Sequence, residues 1–385
     1  MTRHAYTNAQ IFTHQRLQSG CALLVEQGII TGLVNENEVP EGSLIVDLEG
    51  ARLVPGFIDL QVNGGNGFLF NDCPTLDTVR AIAEAHYQFG TTALLPTLIS
   101  DDLDVVERGI IAIEQAISAG VPGIAGIHIE GPFLNVERRG IHPRDKIRLG
   151  DENALKVLRT VEGGVTLVTL APECVPAEQV TELRDRGMIV CAGHTDATFD
   201  EMMNAFNAGV AGVTHLFNAM PPLLNRAPGV VGAALLHSES WCCIIVDGKH
   251  VNPAALQIAI RAKGGHQRFI LVTDAMPTVG QSDKHFMLNG EQVMVIDGVC
   301  QNNDGTLAGS DLDMAKAVAN AQSMLGMSLA QAVEMATFNP AQFLGLSHQM
   351  GVLEVGKRAN MVCLSPSGEV LATWIDGQKV WGASS

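Results

Sequence analysis

Four residues in this chain could do chemistry because each follows an apolar run. "GIHIEGP" carries Glu130, "CAGHTDA" carries His194, "VTHLFNAM" carries His215 and "LVTDAMP" carries Asp274. A carboxylate or imidazole placed at the end of a buried run needs a partner, because an unpaired buried charge is costly. A divalent cation is one such partner. Two His and one Glu give three protein ligands and an open fourth position, a catalytic zinc arrangement. Asp274 beside such a site could take a proton from water and return it to a leaving group. Each residue alone has a plainer explanation. A single His in an apolar run is usually a hydrogen-bonded core residue, and a strand-end Asp is often a turn or cap. The set of four favours chemistry. Asn218 follows His215 closely, and "DGKH" adds Asp247 and His250 at another strand end. In "GFIDLQVNGG", by contrast, Asp59, Gln61 and Asn63 share one face of an extended run but include no strong metal ligand.

The elements that must position these residues alternate between strand-like and helix-like runs. Strands are expected at 56–63, 91–99, 124–131, 165–173, 188–194, 212–218, 242–250 and 268–275. Their near-continuous apolar character suits strands buried on both faces. The segments "PTLDTVRAIAEAHYQFG" and "DDLDVVERGIIAIEQAISAG" read as helices ending at Gly. Thr198 with Glu201, and Ser328 with Gln331, have capping-box spacing. Eight strand–helix units predict an α/β (β/α)8 TIM-like barrel over 54–350, with a doubly wound sheet as the competing layout. In a barrel the strand-end residues meet on one rim. Residues 285–302 read as a β-hairpin insertion turning at Asn289-Gly290. The β-like runs of 1–53, including "AQIFTH", and of 351–385 are expected to pair into one small β-sandwich domain built from both termini.

The 385 residues are 46% hydrophobic and 17% charged, the balance of a compact folded protein. A net charge of −17 without any Lys/Arg run argues against nucleic acid as a partner. Eight scattered Cys without a C-x-x-C pair suggest reduced thiols. No long apolar run suggests a membrane span or signal peptide, so a cytoplasmic location is expected.

Several of these stretches, in chain order, carry a resemblance. "LVPGFIDLQVNG", "GIHIEGPF", "CAGHTDA", "THLFNAM", "DGKH", "LVTDAM" and the later "GVLEVGKRANMVCL" resemble the N-acetylglucosamine-6-phosphate deacetylase family of the amidohydrolase superfamily. The resemblance implies a TIM-like barrel with a β-domain from both termini. It implies hydrolysis of the N-acetyl group of N-acetyl-D-glucosamine 6-phosphate, an amino-sugar phosphate, giving D-glucosamine 6-phosphate and acetate. Glu130, His194 and His215 match metal ligands, and Asp274 matches the catalytic Asp. His142 in "GIHPRD" matches the residue on the acetamide carbonyl. Ile141, Asn218, Ala219, Arg226, His250, Leu307, Ala308 and Gly309 match substrate-contacting positions. Arg226 and His250 match the phosphate-holding groups, part of that pocket coming from a neighbouring subunit, which implies a homodimer or homotetramer.

Many superfamily members end the first strand in His-x-His. Here those positions are Gln61 and Asn63, matching a mononuclear subtype. Neutral amides ligate zinc poorly. One divalent metal per chain is therefore expected, zinc first, with iron, cobalt or manganese also suited to nitrogen and oxygen ligands. Gln61 and Asn63 are expected to line the site, toward the metal's water and the substrate. Plainer roles are kept for others: His128 as a supporting residue, His86 and Glu84 as helix surface, Cys191 as packing. Arg226 and His250 could also be ordinary loop residues. Two rivals remain. A dihydroorotase- or deaminase-like amidohydrolase often uses His-x-His and a strand-four Lys, and "VTLVTLAPE" has no Lys. A barrel that binds a sugar phosphate without hydrolysing it would have no evident use for Asp274.

Overall fold

The computed structural model describes residues 2–13 and 16–383. His14 of the "AQIFTH" run lies outside the described residues. The chain forms two compact units. One comprises Met1–Asp59, His86–Ala93 and Met314–Ser385, and the other Leu60–Ala85 and Leu94–Asp313.

In the first unit a four-stranded sheet runs in the order Ile29–Asn35, Cys21–Glu26, Arg3–Thr7, Leu44–Asp47. A six-stranded sheet runs Gln378–Gly382, Val370–Ile375, Met361–Leu364, Arg52–Pro55, Gln10–Thr13, Arg16–Gln18. The six-stranded sheet mixes strands from both ends of the sequence, and the four-stranded sheet comes entirely from the N-terminal end. Alternation sends one side of each strand inward. Tyr6, Leu23, Val25 and Ile30 from one sheet share a core with Ile11, Leu53, Met361 and Trp374 from the other. The rings of Tyr6 and Trp374 meet edge to face, with centroids 5.4 Å apart. This is the expected sandwich of both termini. The helices Met314–Leu325, Leu329–Ala336 and Phe338–Phe343 also belong to this unit.

The eight-stranded parallel sheet forms the barrel. Its strands are β1 (Phe57–Val62), β2 (Thr91–Leu98), β3 (Gly126–Glu130), β4 (Val165–Leu170), β5 (Ile189–Ala192), β6 (Val210–Val213), β7 (Trp241–Ile244) and β8 (Phe269–Leu271), side by side in chain order. That order excludes a doubly wound sheet, whose strand order reverses. A parallel bridge from Val62 to Ala275 joins the first strand to the chain beyond the last and closes the circle. The expected helices form at Leu76–Tyr87, Leu103–Ser118, Phe199–Ala208 and Leu329–Ala336. Both capping boxes are made, Thr198 with Glu201 and Ser328 with Gln331. No helix among the described residues is long and apolar enough to cross a membrane.

The insertion is larger than one hairpin. Four antiparallel strands, His285–Leu288, Glu291–Ile296, Val299–Asn302 and Leu307–Ser310, form a meander. Its first two turns are Asn289-Gly290 and Asp297-Gly298, with φ of 51° and 82°, then 52° and 81°. Such two-residue turns need positive φ at both positions, which Asn, Asp and Gly tolerate best.

Candidate active site

The barrel brings the strand-end residues together. Glu130 is the last residue of β3, His194 follows β5 by two positions and His215 follows β6 by two. One oxygen of Glu130 lies 3.1 Å from His194 Nε2 and 3.0 Å from His215 Nε2. The two Nε2 atoms are 3.1 Å apart. His194 Nδ1 donates to the carbonyl of Arg138 at 2.9 Å, which leaves its Nε2 lone pair facing the cluster. A lone pair, a second imidazole nitrogen and a carboxylate oxygen thus converge in a buried site. This donor set fits a divalent cation. Burial pushes the Glu130 carboxyl up, but the His194 and His215 imidazoles beside it outweigh that and hold Glu130 well below the usual carboxylate range. For His215, burial works against protonation, and the Glu130 carboxylate raises its pKa above the ordinary value nonetheless.

Backbone strain concentrates here. His194, His215, Phe217, Ala219 and Asp274 all have positive φ, at 48°, 32°, 81°, 53° and 54°. Side chains other than Gly pay for this conformation, so surrounding bonds must enforce it. Asn135 N–H donates to the His194 carbonyl at 2.9 Å, and Ser310 N–H to the Asp274 carbonyl at 2.9 Å. Glu173, just beyond β4, ties two loops together. It accepts from Asn135 Nδ2 at 2.9 Å, Asp196 N–H at 2.6 Å and Thr195 Oγ1 at 2.5 Å. Arg138 adds an ion pair to Asp196 at 2.8 Å.

His142 and Asp274 face the cluster. His142 Nε2 lies 4.0 Å from Glu130. The backbone N–H of Ser100 donates to His142 Nδ1 at 3.1 Å. Nδ1 is therefore the acceptor and Nε2 carries the hydrogen. Burial pushes the His142 pKa down to about 3, so the ring is neutral. Asp274 accepts from Asn63 Nδ2 at 2.7 Å. Burial, with the Glu130 charge second, pushes its pKa up to about 6. Gln61 Nε2 lies 3.2 Å from each oxygen of Glu130. Both first-strand amides thus donate to carboxylates.

A cavity of about 280 Å³ opens over these groups. Asn63, Glu130, Ile141, His142, His194, His215, Asn218, Ala219, His250, Asp274, Leu307 and Gly309 all line it. Gln61 sits against Glu130 rather than in the wall, and Ala308 packs in the apolar cluster under the meander. Arg226 is exposed and does not line the cavity. His250 Nδ1 contacts Asp247 at 2.6 Å, so it is an oriented ring and no idle loop residue. His128 is supporting, as expected, with Nε2 2.8 Å from Thr169 Oγ1 and a pKa pushed by burial to about 4. Cys191 is fully buried, and burial pushes its thiol up to about 12. Glu84 is exposed, but His86 is fully buried, which corrects the surface expectation. Its helical partners Val79, Ile82 and Ala83 are equally buried, so the three- and four-residue spacing set its face. Ile99, Met276 and Arg138 also line the cavity and were not singled out in the sequence. Glu173 was open to detection, because it ends a strand run as the other site residues do.

Residues 52–380 match the amidohydrolase family. Over 97% of this chain and 95% of its own length, N-acetylgalactosamine-6-phosphate deacetylase from Shewanella sp. (strain ANA-3) is 42% identical. N-acetylglucosamine-6-phosphate deacetylase from Haemophilus influenzae is 31% identical over 98% and 99%. The crystal structure of N-acetylglucosamine-6-phosphate deacetylase from Pasteurella multocida superposes with a TM-score of 0.94 at 34% identity, covering 98% of this chain and 99% of that one. With its closed barrel and its buried Glu–His–His cluster, the chain belongs to the amidohydrolase family and is a hydrolase of the branch that contains these deacetylases.

Proposed function

We propose that this protein hydrolyses N-acetyl-D-glucosamine 6-phosphate to D-glucosamine 6-phosphate and acetate. The observation that carries this reading is the arrangement of His142 and Asp274 around one buried Glu130–His194–His215 cluster in a single cavity. A divalent cation held by Glu130, His194 and His215 supplies Lewis-acid activation of water and carbonyl near neutral pH. Zinc suits this donor set, and iron, cobalt and manganese share its preferences. Asp274, ionised at neutral pH, takes the proton from the attacking water. The water oxygen bonds to the amide carbon, and charge grows on the carbonyl oxygen. His142 donates its Nε2 hydrogen toward that oxygen. Asp274 then passes its proton to the nitrogen as the C–N bond breaks, because an unprotonated amine is a poor leaving group.

We infer one cation per chain from the end of the first strand. Gln61 and Asn63 are already occupied as donors to Glu130 and Asp274, which supports a single metal site. For the phosphate we assign His250 and Arg226. The exposure of Arg226 on this chain suits a group offered to a neighbouring subunit in a homodimer or homotetramer. All eight Cys are free, which supports a cytoplasmic enzyme.

The 42% identity to a galactosamine-type deacetylase favours a second reading, in which the 4-epimer is the better substrate. Acetate release from both 6-phosphates, with metal analysis of the purified protein, tests the proposal. Turnover of either with one tightly bound metal per chain is expected, and the kcat/KM ratio decides the epimer. Tight sugar-phosphate binding without acetate release would overturn it. Arg226→Ala should weaken the phosphorylated substrate far more than the unphosphorylated sugar, and equal losses would remove Arg226 from the phosphate pocket.

A further inference from the structure

We propose that Ile99 and Met276 form a rigid acyl pocket that restricts the amide substrate to a short acyl chain. This rests on the deacetylation proposed above. The amide carbon of such a substrate carries an oxygen, a nitrogen and an acyl carbon. The oxygen belongs toward His142 and the Glu130–His194–His215 cluster, and the nitrogen toward Asp274. The acyl carbon needs a third direction with neither charge nor hydrogen-bonding groups.

Ile99 and Met276 supply that direction beside the two reacting groups. Ile99 is bonded to Ser100, whose N–H holds His142 at 3.1 Å. Met276 follows Asp274 by two residues. Both residues line the cavity while staying almost fully buried, at 4% and 1% exposed. They share one apolar cluster with Leu69 and Phe286, and Ile141 packs against it.

The wall has little room to retreat. Asn71 clamps the Ile99 backbone, accepting its N–H at 3.0 Å and donating to its carbonyl at 3.1 Å. Met276 lies against Gly309, where an added Cβ would stand 2.7 Å from Met276 Cγ. A close-packed wall of this kind excludes an added methylene by overpacking.

The test compares N-acetyl and N-propanoyl forms of the same sugar 6-phosphate, using metal-loaded wild type, Ile99→Ala and Met276→Ala. Wild type should favour acetyl in kcat/KM by about tenfold or more. Either variant should move that ratio toward the longer chain by about tenfold. Ile99→Val, which removes one methyl, replaces Ile99→Ala if the latter does not fold, and should move the ratio in the same direction. Equal turnover of both substrates by wild type would overturn the pocket. So would folded variants that lose both activities in equal proportion. No turnover of either substrate by wild type would instead overturn the deacetylase reading itself.

Discussion

His142→Ala isolates what the neutral imidazole contributes. The Ser100 N–H bond to Nδ1 forces the hydrogen onto Nε2, and burial holds the ring pKa at about 3. The ring is therefore a preorganised neutral donor throughout the working pH range. Removing one such donor to a developing oxyanion costs about 10²–10³ in kcat, or ~3–4 kcal/mol of transition-state stabilisation. KM should change much less, because the growing charge exists mainly in the transition state. Metal content should be unchanged, since His142 Nε2 stands 4.0 Å from Glu130 and outside the ligand set. His142→Gln, which can return an N–H near the Nε2 position, should recover part of the loss. The assay is acetate release under saturating substrate, with metal measured on the same preparations. A His142→Ala enzyme within threefold of wild-type kcat would refute the reasoning, as would loss of metal in step with activity.

Asp274→Asn should bind metal and substrate but lose most turnover; a variant turning over at the wild-type rate would remove Asp274 as the proton carrier. Asn63 donates to the ionised form of Asp274 and so lowers its pKa. Asn63→Ala should therefore move the acid limb of kcat/KM to higher pH, by up to about one unit, and a stationary limb would count against the pairing. At Gly193 an added Cβ would stand 2.6 Å from Thr169 Cγ2 and 3.2 Å from Thr214 Cβ. Gly193→Ala should push the adjacent His194 out of register and cost about 1–3 kcal/mol of stability, which denaturant unfolding and a metal titration would read together. Glu173→Ala removes three hydrogen bonds that hold the loops around His194. It should weaken metal binding by about 10–100-fold, and unchanged affinity would show that the loops hold themselves.

Much of the fold was legible because it is written locally. Apolar runs alternating with capped helical segments predicted all eight barrel strands, and both capping boxes formed where the spacing put them. The second meander turn, Asp297-Gly298, was equally legible by the rule that found Asn289-Gly290. His86 misled because its residue type suggested surface while its spacing from Val79, Ile82 and Ala83 placed it inside. Ile99 and Met276 could not be singled out, because in sequence they look like any core residue.

The sequence by itself determined which chemistry was available: two imidazoles and a carboxylate that could hold a cation, an Asp that could carry a proton, and neutral amides rather than imidazoles at the end of the first strand. These are properties of residue types at strand ends, and strand ends follow from periodicity. Tertiary structure alone decided the chemical state of those residues. Ser100 set the His142 tautomer, burial raised the Asp274 pKa to about 6, and Glu130 took up the Gln61 amide. Each of these depends on distances between groups far apart in the chain, 69 positions for Gln61 and Glu130 and 211 for Asn63 and Asp274. Protonation and hydrogen bonding respond to solvent exclusion and to separations of about 3 Å, and only the closed barrel establishes those.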